Sequence, residues 1–299
     1  AGVNNIPVAR MTELGIPVFN APGANANAVK ELAIGGMLLA ARNLHEAWEY
    51  VRRIDAAAAP LEKQVEAGKK QFVGYELPGR TLGVIGLGAI GVKVANAARA
   101  LGMRVIGYDA ALTVNRAWQL ASDVIQAYSV EEVMRRSDFV SLHVPLTPQT
   151  TGLINAERLA IMPRGAVLMN FSRAGIVSDV DALASLDAGH LGCYVNDFPT
   201  EETRHHPRCI TLPHLGASTV EAEENCAVMV AEQLRDYLEH GNVRNAVNFP
   251  EVVIPRSEGC QRLAVVNANV PNMLGQISTT LARHGLNIAD MYNKARGEL

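Results

Sequence analysis

The sequence predicts an α/β protein built on a doubly wound parallel sheet, followed by a smaller α+β module. Three observations predict it. Strand-like and helix-like patches take turns from about residue 81 to residue 240, the pattern of a parallel sheet covered on both faces. A Gly-x-Gly-x-x-Gly loop, GVIGLGAIG, sits between the first of those strands and the helix after it. Beyond VNFPEVVIPR the pattern changes to a short strand, a helix and the start of a second strand, with Pro250 and Pro255 marking a linker.

In chain order, residues 1–24 are turn-rich, with one strand expected at IPVF. A long helix is expected from Asn25 to about Tyr50, with Val29, Leu32, Ala33, Met37 and Leu38 on one face and Asn25 or Asn27 as cap. EKQVEAGKKQF reads as a solvated connection. The alternation comes next: strand TLGVIG, helix AIGVKVANAARALG, strand MRVIGYD, short helix RAWQLA, weak strand DVIQAY. SVEEVMRR is a helix opened by a capping box, Ser129 with Glu132. After it come strand DFVSLHV, helix NAERLAIMP, strand GAVLMNFS, helix VDALASLDAG ending at Gly189, and strands HLGCYVND and CITLP. Residues 218–240 form a long helix stopped by Gly241. In the last module RLAVVNANV (262–270) is a strand, PNMLGQISTTLARHG a helix, and LNIADMYNKA a second strand.

The bulk numbers bound the function. With 299 residues, 48% of them hydrophobic, the chain can bury a large core and fill two or three domains. A net charge of −3 gives no support to a nucleic-acid or anionic-membrane partner. No apolar run approaches the roughly 20 residues that cross a bilayer. The four cysteines, Cys193, Cys209, Cys226 and Cys260, form no C-x-x-C pair, so no metal site or redox motif is indicated, and a reducing, cytoplasmic setting is the default. The chain opens without Met and closes on NKARGEL, which reads as the middle of a longer protein.

In the glycine loop each glycine has its own task. Gly86 lets the strand turn sharply, Gly88 lets the backbone approach a pyrophosphate, and Gly91 lets helix and strand pack closely. The N–H groups at the helix start then face the phosphates. The next strand ends on Asp109, and 109 − 91 = 18 residues is close to the spacing of roughly 20 expected for a carboxylate that takes a ribose 2′-hydroxyl. Such an acid repels a 2′-phosphate, so NAD is favoured over NADP. This is a Rossmann-type signature.

Ligands in open α/β sheets bind beyond the carboxyl ends of the strands. The polar residues there are Arg173 after GAVLMNFS, Glu201 and Glu202 after HLGCYVNDFPT, and His214 after CITLP. A guanidinium binds a carboxylate through paired hydrogen bonds. An imidazole exchanges a proton with a carbonyl or hydroxyl oxygen as hydride moves, and a nearby carboxylate fixes its tautomer and favours its protonated form. Singly, each residue reads as well otherwise: Arg173 as a surface cation, the two glutamates as solvated loop acids, His214 as a helix cap. Together, beside a dinucleotide loop, they point to a dehydrogenase acting on a carboxylate-bearing alcohol. His143 ends a strand and either borders the cofactor or packs in the core; His205 and His206 lie in a polar loop and receive no role.

These residues carry a resemblance. AGVNNIP, NAPGANANAVKE, GVIGLGAIG, HVPLTPQTTGLIN, NFSRAGIV, DFPTE, LPHLGAST and NANVPNMLGQI with GLNI occur in the order seen in the NAD-dependent D-2-hydroxyacid dehydrogenases, and the chain resembles that family over nearly its whole length. Within it the residues are most similar to the branch that oxidises 3-phospho-D-glycerate to 3-phosphohydroxypyruvate, the first step of the phosphorylated route to serine. The resemblance implies that Arg173 binds the substrate carboxylate, that Glu201 rather than Glu202 partners the histidine, and that His214 is the acid/base. It implies NAD contacts at Gly86, Gly88, Ala89, Ile90, Gly91, Asp109, Phe171, Ser172 and Arg173, with Asn196, His214 and Gly216 near the nicotinamide. It implies an NAD-binding domain over 25–216, part of a flavodoxin-like substrate domain over 1–24 and 217–250, and a partial ACT-like regulatory module over 260–299. A serine effector and a homodimer or homotetramer are implied as well.

The chain departs from the family pattern at several places. Asn196 stands where the family often has Asp, and Glu202 where most members have Pro. In the ACT-like stretch Asn267 replaces a His and Asn272 a Gly, while Asn269 and Asn287 match. The family's substrate domain begins before AGVNNIP, so a protein truly starting at Ala1 is expected to bind NAD weakly and turn over little. Two rival readings remain: another enzyme of the family, of the glyoxylate or hydroxypyruvate reductase type, and a non-catalytic NADH-sensing module.

Overall fold

The computed structural model describes residues 5–55, 57–255 and 259–295. AGVN of the opening motif and the terminal RGEL lie outside the described residues. The chain divides into two compact units, Ala26–Thr219 on one side and Ala1–Asn25 with Val220–Leu299 on the other. Helix α1 (Val8–Glu13) belongs to the smaller unit.

The larger unit begins with α2 (Ala26–Arg42) and α3 (Leu44–Arg53). One long helix was expected here; Asn43, at φ 49, breaks it in two. The cause is tertiary. The returning chain docks on the end of α2, where the Tyr75 N–H donates to the Ala41 carbonyl at 2.9 Å and a methyl group on Gly74 would lie 2.2 Å from that oxygen. Asn tolerates the left-handed turn this requires. EKQVEAGKKQF, expected as a connection, is α4 (Leu61–Gly68) and a turn of 3-10 helix, Lys69–Phe72. Its charged residues hide an anchor: the Tyr50 hydroxyl donates to Gln64 O at 2.8 Å, and the Tyr50 and Phe72 rings lie 5.2 Å apart.

Then strands and helices alternate as expected: β1 (Thr81–Ile85), α5 (Ala89–Ala100), β2 (Arg104–Tyr108), α6 (Val114–Ala117), β3 (Ile125–Gln126) and α7 (Val130–Arg136). They continue as β4 (Phe139–Leu142), α8 (Ala156–Ala160), β5 (Val167–Asn170), α9 (Asp179–Asp187), β6 (Cys193–Asn196), α10 (Glu201–His205) and β7 (Cys209–Thr211). The capping box at α7 is wider than expected: Ser129 Oγ accepts from Glu132 N, but the Glu132 carboxylate reaches back to Tyr128 N.

All seven strands are parallel, in the order β3-β2-β1-β4-β5-β6-β7. Alternate residues serve opposite faces, as the strand period of two demands. Val84, Val105, Phe139, Val167 and Val195 meet Ala33, Met37, Val94 and Ala98 from α2 and α5. Ile85, Ile106, Val140, Leu168 and Tyr194 meet Val133, Met134, Leu159 and Leu186 from α7, α8 and α9. Chain order reverses beside β1, whose neighbours are β2 and β4, and such a switch point opens a crevice at the carboxyl edge.

In the smaller unit the IPVF strand reduces to one antiparallel bridge, Phe19 to Ala246. Helix α11 (Val220–His240) ends where Gly241 takes φ 67. The Arg262 guanidinium ties the following segment to that helix end, donating to the carbonyls of His240, Ile254 and Pro255 and to Asn242 Oδ1. Helix α12 (Met273–Arg283) forms as expected. The strands expected over 262–270 and from Leu286 do not: the chain there is without ladder partners among the described residues. A strand's N–H and C=O groups need a neighbour, and apolar alternation alone does not supply one.

Gly83, buried in β1, faces α7 so closely that a methyl group there would lie 2.4 Å from both Ser137 Oγ and Val133 Cγ1. Gly83→Ala is therefore expected to destabilise the larger unit by about 1–3 kcal/mol, read as a lower urea midpoint with an unchanged slope.

Candidate active site

Strand register sets the site. Ile85 pairs with Tyr108 and Leu142, Leu142 with Asn170, Asn170 with Asn196 and Asn196 with Thr211. The strand ends are thus level. The residues just past them, namely Gly86, Asp109, His143, Phe171–Ser172–Arg173, Asp197 and Leu212–Pro213–His214, emerge along one edge of the sheet.

The glycine loop has the build expected for a phosphate cradle. Gly86 takes φ 93, and a methyl group on it would lie 2.6 Å from the His143 carbonyl oxygen. A methyl group on Gly91 would fall 1.9 Å from Gly86 O, so only glycine lets α5 start this close to β1. A methyl group on Gly88 would meet nothing within 4 Å, which leaves open space over the loop. No side chain caps α5 and no acid stands in its first turn, so its N–H groups are available to an anion. Asp109 Oδ2 accepts from Leu87 N at 2.6 Å and Oδ1 from Ala111 N at 2.8 Å, which holds the acid against the loop. These residues fit a dinucleotide.

At the end of β5 the buried Asn170 amide braces the arginine turn from both sides. Its Oδ1 accepts from Ser172 N at 3.1 Å and its Nδ2 donates to Arg173 O at 2.9 Å. Ser172 Oγ donates to Leu142 O at 2.5 Å, linking the turn to β4. Arg173 is exposed and its guanidinium donates to Ser172 O at 2.7 Å. Phe171 is buried against Gly36 of α2, where a methyl group would lie 2.7 Å from its ring.

At the end of β6, Asn196 is buried; its Oδ1 accepts from Phe198 N at 3.0 Å while its Nδ2 has no partner among the described residues. A buried, unspent N–H donor at the carboxyl edge is costly unless something arrives to take it. Beyond β7, Leu212 N donates to Asn196 O at 2.8 Å and His214 takes φ 57. The His214 ring is exposed on one side and lies 5.0 Å from the Phe198 ring.

Glu201, expected to partner His214, is bonded to its own helix. It opens α10, its carboxylate takes Arg204 Nε at 2.7 Å and lies 3.7 Å from His205 Nε2. Among the described residues no ion pair or hydrogen bond joins it to His214. An exposed acid on a helix finds the cation three residues on before anything more distant. Glu202 is exposed on the same turn. His206 faces Asp187 at 3.2 Å.

His143, half-buried, stands at the same edge, its ring turned back toward β4. Its Nε2 pairs with Ser141 Oγ at 2.8 Å and its Nδ1 is enclosed without a partner. Burial pushes its pKa down to about 3, so its imidazole is neutral, with a single ring proton, near neutral pH. Two residues that the sequence pattern did not single out, Asn170 and Asp197, shape the edge more than it does. Their signal was present: a polar residue closing an apolar strand run. Among the described residues no group of three side chains is arranged to hold a metal ion.

Residues 34–216 match the family model described as D-isomer specific 2-hydroxyacid dehydrogenase, NAD binding domain. The chain is 37% identical to the D-3-phosphoglycerate dehydrogenase of Haemophilus influenzae, over 97% of this chain and 70% of that protein. It is 38% identical to that of Methanocaldococcus jannaschii over 84% of this chain, and spans about half of that relative, 47%. Among solved structures it is similar to the NAD+-bound 3-phosphoglycerate dehydrogenase of Entamoeba histolytica, with TM-score 0.66 and 28% identity over 83% of this chain and 73% of that one.

His143 also generates a pH prediction. The unfolded imidazole takes up a proton below about 6.5, whereas the folded one resists until about 3. Stability contributed by this residue is therefore constant above that window and falls as pH drops through it, by at most about 1.4 kcal/mol per pH unit. Between pH 7 and 5, His143→Asn should lose less stability than wild type in urea titrations, by up to about 2 kcal/mol.

Proposed function

The chain belongs to the D-isomer specific 2-hydroxyacid dehydrogenase family, and from that premise we propose that it oxidises 3-phospho-D-glycerate to 3-phosphohydroxypyruvate with NAD. One observation carries the reading: the level strand ends bring the glycine loop, Asp109, Arg173 and His214 to one edge of the sheet. Curated relatives 37% and 38% identical to the chain are named D-3-phosphoglycerate dehydrogenase.

NAD supplies the hydride acceptor when bound. The chain's residues do the rest. The N–H groups of Gly88, Ala89, Ile90 and Gly91 would hold the pyrophosphate, and Asp109 keeps free lone pairs that would accept from ribose hydroxyls. Asn196, with its unspent Nδ2, would donate to the nicotinamide end of the cofactor, near His214 and Gly216. Arg173 exchanges its bond to Ser172 O for the substrate carboxylate, which accepts two parallel N–H bonds. His214 takes the proton of the 2-hydroxyl as hydride leaves the same carbon, and returns it in the reverse direction.

Glu201 is the acid proposed to steady the imidazole. For that its carboxylate leaves Arg204, an exposed pair of a kind worth about 0–1 kcal/mol. A serine effector is proposed to act through the module around Asn269 and Asn287, and the working assembly to be a homodimer or homotetramer. No helix among the described residues is long and apolar enough to cross a membrane. A cytoplasmic setting is proposed from the four unpaired cysteines.

The direct test is NAD reduction by the full-length protein with 3-phosphoglycerate, against unphosphorylated 2-hydroxy acids. His214→Ala is expected to lower kcat about 10²–10⁴-fold. Arg173→Lys, which cannot pair bidentately, is expected to raise KM for the acid at least tenfold with NADH binding unchanged. Glu201→Gln should lower kcat about tenfold or more; wild-type turnover there removes Glu201 from the mechanism. Tight NADH binding with no turnover on any 2-hydroxy acid would favour a sensor instead.

A further inference from the structure

The turn that carries His214 is not explained by its own residues. A non-glycine residue at φ 57 stands in left-handed space, at a cost of about 1–2 kcal/mol. Such a conformation persists where the surroundings over-determine it. Within the turn, His214 N donates to Leu212 O at 3.0 Å, and the imidazole itself accepts and donates no hydrogen bond among the described residues.

The missing restraint comes from β6. Asp197 directly follows that strand and is 1% exposed. Its Oδ1 accepts from Leu215 N at 2.7 Å and its Oδ2 from Gly216 N at 2.8 Å. Two successive N–H groups that follow a left-handed residue converge on one anion, the geometry of a backbone nest. The carboxylate is anchored from behind, since Asp197 N donates to Asn170 O at 3.2 Å across the β5–β6 pair. No lysine or arginine pairs with it among the described residues. A carboxylate removed from water is costly unless charge-assisted bonds meet it, and here the nest meets it. Gly216 lets its N–H come this close: a methyl group there would lie 3.2 Å from Asp197 Oδ2 and 3.5 Å from Val29 Cγ2.

We infer that Asp197 is a positioning residue for proton transfer. Its carboxylate clamps the Leu215 and Gly216 N–H groups and so holds the His214 turn in its left-handed form, with the imidazole presented at the carboxyl edge of the sheet. The role rests on the dehydrogenase reading and extends it by one residue. Asp197 acts through the main chain after His214, so the imidazole stays free for substrate on the side away from Phe198.

Asp197→Asn is the test, made in the full-length protein. The amide keeps one acceptor, loses the charge, and turns an N–H toward an N–H. Backbone hydrogen exchange at Leu215 and Gly216 is expected to speed up at least tenfold, with the β1–α5 segment unchanged. In the same variant kcat should fall about 10–100-fold, KM and the NADH Kd should move less than threefold, and the solvent deuterium isotope effect on kcat should rise. A general loss of fold would instead move NADH binding and all segments together. Gly216→Ala, which keeps the acid but crowds it, should change exchange and kcat in the same direction by less, and decides the matter if Asp197→Asn does not fold. Unchanged exchange at Leu215 and Gly216, or faster exchange with kcat within twofold of wild type, overturns the role while leaving the dehydrogenase reading intact. A wild type that turns over no 2-hydroxy acid sinks the dehydrogenase reading and the role with it.

Discussion

The register of the parallel ladder is the constraint on which the site depends. A parallel strand cannot slide by one residue without turning its whole apolar set to the wrong face, and here both faces are committed. Val84 and Ile85, Val105 and Ile106, Val167 and Leu168 each send neighbours to opposite cores. Packing on two sides therefore fixes where every strand stops. Because the stops are level from Tyr108 through Ile85, Leu142, Asn170 and Asn196 to Thr211, loops far apart in sequence open onto one line. The chemistry is placed by hydrophobic burial well away from it.

Register delivers loops to the edge but does not shape them. Shaping falls to polar groups at the ends of β2, β5 and β6, half-buried at Asp109 and buried at Asn170 and Asp197. Asp109 fastens the glycine loop, Asn170 braces the turn before and after Ser172, and Asp197 fastens the turn after His214. Behind Asn170, the Tyr194 hydroxyl reaches Asp179 Oδ1 at 3.3 Å, and burial pushes that phenol's pKa upward. The bonds of Asp109, Asn170 and Asp197 are directed at backbone N–H or C=O, so none of the three occupies the Arg173 or His214 side chain. A polar group that is buried and satisfied this way specifies one loop conformation, because the alternatives leave it unpaired.

Much of this was legible in the sequence. The strand–helix alternation, the glycine loop with its acid 18 residues on, and the positions of Arg173 and His214 all rest on local pattern, and local pattern is what a sequence displays. The misses have tertiary causes. The break at Asn43 comes from a segment thirty residues later that docks on α2, with Asn43 Nδ2 reaching Val73 O. The helix Leu61–Gly68 depends on Tyr50 arriving from α3. The strand pattern of 262–270 reads correctly as apolar alternation, yet a strand is a property of a pair, and one segment's residues do not reveal whether a neighbour is present. Asp197 was in view and still unread: an acid beside a phenylalanine looks solvated until its two acceptors are seen on the main chain of a different loop.

The double engagement of Asp109 has a consequence for redesign. The same carboxylate that would discriminate against a phosphorylated ribose also fastens Leu87 and Ala111 to the end of β2. On the role proposed for Asp109, coenzyme preference and loop rigidity fall to one side chain. An attempt to convert the protein to the phosphorylated dinucleotide by neutralising that acid would slacken the cradle it was meant to retune. A successful conversion has to install a replacement acceptor for the Leu87 N–H together with the new cation.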